Sequence, residues 1–136
     1  MEMAEMRLRV DSARVGRLAT SGPNGRPHVV PVCFALNGET IYFAVDAKPK
    51  RTRALKRLGN IAANPAVSLL VDHYEDDWAK LWWVRMDGHA RLVADGAESD
   101  RAIELLAARY ATYRTSRPAG PVVAIGVDRW TGWTGA

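Results

Sequence analysis

The chain has a single cysteine, Cys33, in 136 residues, so no disulfide can form within it and a multi-cysteine metal site is excluded. A lone free cysteine is expected to be a small core residue. No apolar run approaches the roughly 20 residues that a membrane span requires. The segment 66–71 is interrupted by Ser68. Residues 1–10 carry Glu2, Glu5, Arg7 and Arg9 rather than a basic flank and an apolar stretch, so a secretory signal is not expected. These absences point to a cytoplasmic protein with no membrane association. There is also no glycine-rich dinucleotide fingerprint and no phosphate-binding P-loop. His28, His73 and His89 stand on separate segments without metal-ligand spacing, and no nucleophilic triad can be drawn. Internal repeats, low-complexity tracts and long linkers are lacking too, so residues 1–136 are expected to form one domain.

What is present is an ordinary globular balance, 48% hydrophobic and 25% charged, with a net charge of +4. A positive balance favours acidic partners: nucleic acid, anionic lipid or a small anionic ligand. Met6 and Val10 share one face of a short helix over 4–13. A strand at 17–21, the turn Gly22-Pro23-Asn24-Gly25 and a strand at 27–36 read as a hairpin, with Asn-Gly as its strongest signal. In that second strand His28, Val30, Val32 and Phe34 face one side, Val29, Pro31, Cys33 and Ala35 the other, and both faces are expected to be covered. Pro31 cannot donate a ladder hydrogen bond, which places it at an edge, a bulge or a ligand's approach to the backbone. Asn37-Gly38 starts another turn before a strand at 40–45.

Thr52 is expected to cap a helix with Leu55, Leu58 and Ala62 on one face, ending at Asn64-Pro65. Strands at 66–73 and 80–93 follow, the latter bent at Gly88. Asp95 and Glu98 read as a capping box for a helix built on Ile103, Leu106, Ala107 and Tyr110, and a last strand covers 121–134. Consecutive hairpins with two inserted helices argue for a mainly β, α+β fold: an antiparallel barrel with peripheral helices.

The most informative segment is 48–57, which holds Lys48, Lys50, Arg51, Arg53, Lys56 and Arg57, while no acidic residue occurs over 47–71. Cations at a helix start oppose the macrodipole, and a bound anion resolves the conflict through free backbone N–H groups and the Thr52 hydroxyl. A solvated basic helix face is the alternative. Trp78, Trp82, Trp83, Trp130 and Trp133 fall in two short stretches. Adjacent Trp82 and Trp83 on a strand must face opposite sides, so one of them covers a dimer interface or a planar cofactor unless both simply fill the barrel and cap its end.

Arg17-Leu18-Ala19-Thr20, the run 25–32, the basic junction at 48–57 and Asn64-Pro65 before a buried strand together resemble the pyridoxamine 5′-phosphate oxidase-like split β-barrel proteins. The run 71–78 followed by 81–85 resembles, more narrowly, the actinobacterial branch of probable coenzyme F420-dependent enzymes. The resemblance spans nearly the whole chain. It implies an antiparallel split β-barrel of the FMN-binding type and a homodimer with the cofactor in a groove between subunits. Lys48, Lys50, Arg51, Thr52 and Arg53 would hold the phosphate. The ring would lie against the strand with Pro31 and Val32, on which His28 and Val30 are further candidates, and the second subunit would lend residues near Trp78 and Trp130.

The chain departs from the vitamin B6 oxidases, because Asp128-Arg129-Trp130 stands where their substrate-binding Arg-x-His would be. The expected function is a deazaflavin (coenzyme F420)-dependent oxidoreductase that reduces a small organic substrate by hydride transfer. A deazaflavin tail with a phosphate and several glutamates needs a longer basic track than FMN, and Lys56 and Arg57 extend it. An FMN-dependent oxidase or reductase and a non-catalytic cofactor carrier are the alternatives. A nucleic-acid-binding barrel fits the charge and tryptophans but not the motifs.

Overall fold

A sharp turn starts the sheet. Gly25 has φ of +76°, a left-handed conformation that a side chain would disfavour. The Gly22 N–H bonds the Arg26 carbonyl at 3.0 Å. This turn joins β1 (Gly16–Ser21) to β2 (Pro27–Val32), in antiparallel register from Ser21↔Pro27 to Gly16↔Val32. The computed structural model describes residues 1–45, 51–118 and 120–136, with only the backbone at 51–55. A helix α1 (Met3–Ser12) precedes the hairpin and buries Met6 and Val10, as their spacing predicts.

After β2 come β3 (Ala35–Asn37), β4 (Thr40–Ala44), α2 (Arg51–Ala63), β5 (Ala66–His73), a short 3-10 turn (Trp78–Lys80), β6 (Trp82–Val93), α3 (Ala97–Arg109), α4 (Ala111–Thr115) and β7 (Val122–Thr134). The seven strands form one antiparallel sheet in the order β2-β1-β5-β6-β7-β4-β3. Its two edge strands, β2 and β3, are consecutive in the chain and parted only by Cys33 and Phe34. A chain segment this short reaches about 3.5 Å per residue, so the edges must lie at a common corner without pairing. This is an open, split barrel. The Tyr110 hydroxyl accepts the Phe34 N–H at 3.0 Å and reaches the carbonyl oxygens of Phe34 and Arg14 at 3.0 and 3.1 Å, which holds the corner closed.

The inner face collects Leu18, Phe34, Ile41, Phe43, Leu69, Val71, Val84, Met86, Val123 and Ile125 with Met6, Val10 and Ile61 from the helices. Fully burying one such aliphatic or aromatic side chain contributes about 1.5–3 kcal/mol. A second cluster, Tyr42, Val93, Ala102, Val122 and Ala124, lies under α3. Residues 41–43 of β4 and 122–125 of β7 are therefore buried on both faces, which explains the apolar runs Ile41-Tyr42-Phe43 and Val122-Val123-Ala124-Ile125.

Five local expectations are corrected. The 27–36 segment is two strands, β2 paired with β1 and β3 paired with β4, and the chain passes from one partner to the other at Cys33 and Phe34. Its outer face is open rather than covered: Val29 is 65% exposed and Pro31 is exposed on the edge strand. Cys33 is exposed, not a core residue. α2 begins at Arg51, one residue ahead of the Thr52 cap; among its described side chains Leu58 packs against the core as expected, Asn60 and Ile61 are buried, and Ala62 is exposed, while the Leu55 side chain lies outside the described residues. Asp95 and Glu98 form no capping box. Gly96 stands at the N-cap without a side-chain bond, and Glu98 instead accepts bonds from Arg91 (2.7 and 3.0 Å) and the Tyr42 hydroxyl (2.8 Å). The expected irregularity at Gly88 is present, as a register shift between Asp87 and Gly88.

Candidate functional site

Strand alternation sends Leu18, Leu69, Val71, Val84 and Met86 into the core and their neighbours to the opposite face. Pairing then aligns those neighbours in rows across the sheet. One row runs Val29, Ala19, Ser68, Asp87; the next runs Pro31, Arg17, Leu70, Arg85; a third holds Asp72, Trp83 and Trp133. Small residues in the middle strands and larger ones around them leave a trough on this outer face. One cavity of about 470 Å³ lies between Val29, Leu70, Asp72, Tyr74, Trp83 and Arg85. A second, of about 440 Å³, includes Ser21, Pro27, Asp87, His89 and Asp128. Both include Ala19 and Ser68, so they adjoin.

The charges of the trough are paired within it. Arg17 lies 3.6 Å from Asp72. Arg85 Nε donates to Asp87 at 3.0 Å, the Ser68 hydroxyl donates to the same carboxylate at 2.6 Å, and the Arg85 guanidinium lies 5.9 Å from the centre of the Trp83 ring. His89 Nδ1 lies 2.5 Å from an Asp128 carboxylate oxygen. An apolar floor with aromatic walls and a few convergent polar groups is the composition of a small-molecule site, and each cavity falls within the usual range of about 300–1,000 Å³.

The expected site residues divide. Pro31 lies on the outer face of edge strand β2, which has a strand partner on one side only. His28 is half-buried opposite Thr20, and Val30 and Val32 pack into the core, so β2 offers a ligand its backbone edge and its outer side chains. Lys48 and Lys50 lie outside the described residues. Arg51, Thr52 and Arg53 form the first turn of α2. Trp78 is 76% exposed in the turn after β5. Trp130 packs against the core: its indole N–H donates to Glu39 at 2.9 Å and the Arg7 guanidinium lies 4.9 Å from its ring centre. Within one chain, Trp130 is not brought to β2. Sequence reading missed Arg17, Tyr74, Trp83, Arg85, His89 and Asp128 as a group. Alternation of small and large residues along β1, β5 and β6 was the available signal, but it needs the cross-strand register to become a site.

The clearest shifts in ionisation lie away from the trough, under α3. Hydrogen bonds from Arg91 first and Tyr42 second hold the Glu98 carboxyl below the usual carboxylate range. Burial, then the bond to Glu98, pushes the Tyr42 phenol up. The Arg91 guanidinium is raised by its bond to Glu98. These groups brace α3 against β4 and β6. Among the described residues no cluster of His, Cys, Asp and Glu could hold a metal ion, and no helix is long and apolar enough to cross a membrane.

Known proteins of similar structure share this architecture. A conserved hypothetical protein from Mycobacterium tuberculosis is 26% identical, with a TM-score of 0.80 over 99% of this chain and 86% of that one. An FAD-binding protein from Mesorhizobium loti is 23% identical, with a TM-score of 0.73 over 97% and 94%. A heme storage protein from Vibrio cholerae is 18% identical, with a TM-score of 0.72 over 97% and 93%. No curated protein matches the sequence. The family model described as pyridoxamine 5′-phosphate oxidase matches residues 3–133. The chain belongs to the pyridoxamine 5′-phosphate oxidase family.

Proposed function

We propose that the protein is a cytoplasmic, homodimeric reductase that uses a deazaflavin, coenzyme F420, to reduce a small organic substrate. The observation that carries this reading is the trough: a ring-sized apolar floor beside an exposed edge strand. The basic segment at 48–57 supplies the cations for an anionic tail. When bound, the cofactor supplies a hydride. The chain's own part is to bind, orient and keep water out. Arg51, Thr52 and Arg53 at the start of α2, with Lys48 and Lys50, hold the phosphate, and Lys56 and Arg57 extend the track. Pro31 and its strand lie along the ring.

The same face supports the homodimer. Val29, Tyr74, Trp78 and Trp133 are 65%, 61%, 76% and 41% exposed, and apolar surface of this kind favours an interface. In a two-fold dimer each surface meets its own copy. Arg17 with Asp72 and Arg85 with Asp87 are already paired within the chain, so this face can be covered without burying an unpaired charge. Trp78 of one protomer would then approach its partner's groove.

FMN is the nearest alternative cofactor, favoured by the FAD-binding protein from Mesorhizobium loti. A non-catalytic carrier is the alternative role, favoured by the heme storage protein from Vibrio cholerae. Lys50→Ala combined with Arg51→Ala tests the phosphate site. Cofactor affinity is expected to fall at least severalfold with an unchanged circular dichroism spectrum, and unchanged affinity in the folded variant removes these residues from the site. Turnover of a substrate by the reduced cofactor separates reductase from carrier.

A further inference from the structure

β7 carries one residue more than β6 beside the second cavity. Asp87 faces Arg129 and Gly88 faces Val127, so Asp128 is the unpaired residue of a bulge. A bulge re-aims a side chain that regular alternation would send elsewhere. Here the Asp128 carboxylate meets His89 Nδ1 at 2.5 Å, and both residues line the cavity that reaches β2 at Pro27. The backbone is held close at this point: a side chain on Gly88 would come within 2.2 Å of the Gly126 carbonyl oxygen. The residues opposite His89 in the sheet, Ala66 on β5 and Gly126 on β7, are uncharged. Asp87 lines the same cavity, but Arg85 and Ser68 already occupy its carboxylate. Asp128 is thus the carboxylate that orients the imidazole.

We propose that His89 and Asp128 form a proton-donating dyad of a substrate subsite at this end of the trough, an inference that rests on the reductase reading. Asp128 accepts Nδ1–H and so leaves Nε2 directed at a ligand, the arrangement by which a carboxylate fixes a histidine's tautomer. Hydride addition brings two electrons and one hydrogen to the substrate and displaces an electron pair onto a neighbouring electronegative atom. That atom takes the Nε2 proton of the imidazolium, the N–H bond breaks, and the neutral imidazole regains a proton from water. The cofactor is oxidised by two electrons and the substrate reduced by two. This step suits a carbonyl or quinone acceptor, whose displaced electron pair comes to rest on an oxygen.

Reduced deazaflavin as donor and menadione as acceptor provide the test, with His89→Gln, Asp128→Asn and nitrogen NMR of the His89 ring. His89→Gln is expected to lower kcat by about a hundredfold with cofactor affinity unchanged. Asp128→Asn is expected to lower kcat by less and to release the neutral ring from the Nδ1–H tautomer expected of the wild type. Full kcat in His89→Gln, or an unchanged tautomer in Asp128→Asn, overturns the dyad alone. Cofactor binding without turnover in the wild type overturns the reductase reading and the dyad with it.

Discussion

Substituting Gly88 by alanine places a methyl group 2.2 Å from the Gly126 carbonyl oxygen, 3.0 Å from its carbon and 3.1 Å from Ile125 Cγ2. The nearest obstacle is backbone, so no side-chain rotation relieves it, and β6 and β7 must separate by about 1 Å to restore ordinary contact. These two strands pair along almost their full length, from Trp82↔Thr134 to Val93↔Val122, in the middle of the sheet. Forcing a methyl group into such a contact costs about 3 kcal/mol. For a chain of this size that lowers Tm by about 10 °C. Gly126→Ala is the matched control on the facing strand: an added Cβ meets nothing within 4 Å and φ is not positive. It is expected to lie between no change and a gain of about 1 kcal/mol. Urea unfolding followed by tryptophan fluorescence, with thermal melts by circular dichroism, measures both. Equal stability of the two variants would refute the close approach at the bulge.

Asn60 and Thr20 are buried polar residues, 6% and 5% exposed, joined by a 3.3 Å hydrogen bond that ties α2 to β1. Asn60→Ala is expected to cost about 1–3 kcal/mol in urea unfolding by leaving the Thr20 hydroxyl unpaired. Glu98, whose carboxyl is held low by Arg91 and Tyr42, contributes stability that is present above its unfolded value near 4.5 and is lost as pH falls through the lower folded value. Glu98→Gln is therefore expected to flatten the acid limb of the stability profile. Tyr42, whose phenol is raised, contributes stability that is present below its ordinary value of 10.0 and lost as pH rises through the folded value. Tyr42→Phe is expected to remove that alkaline dependence. Trp83→Glu on the outer face is expected to yield monomers in sedimentation while wild type sediments as a dimer, and a dimeric variant would place the interface elsewhere.

Much of the architecture was legible because local signals agreed with the global fold. Asn24-Gly25 marked the first hairpin, Asn64-Pro65 ended α2, and Gly88 marked the irregularity in β6. The break at Cys33 was not legible, since 27–36 alternates as one strand would, with Phe34 buried on the same side as Val30 and Val32, and only the change of strand partner from β1 to β4 reveals it. The Asp95–Glu98 spacing looked like a cap, yet Glu98 is taken by Arg91 on the preceding strand and by Tyr42 on the distant strand β4. The same limit hid the trough. His89 and Asp128 are 39 residues apart, and their meeting depends on strand register plus one bulged residue. Trp130 reads as a cofactor contact in sequence, but inside the chain its indole is committed to Glu39 and Arg7.

The basic junction and the trough together decide which cofactor the protein accepts. Purified protein titrated with deazaflavin and, separately, with FMN at fixed salt, following quenching of ligand fluorescence, tests it directly. Saturable binding of the deazaflavin, several times tighter than FMN, is the predicted result. Preference for FMN, or binding of neither, would contradict it.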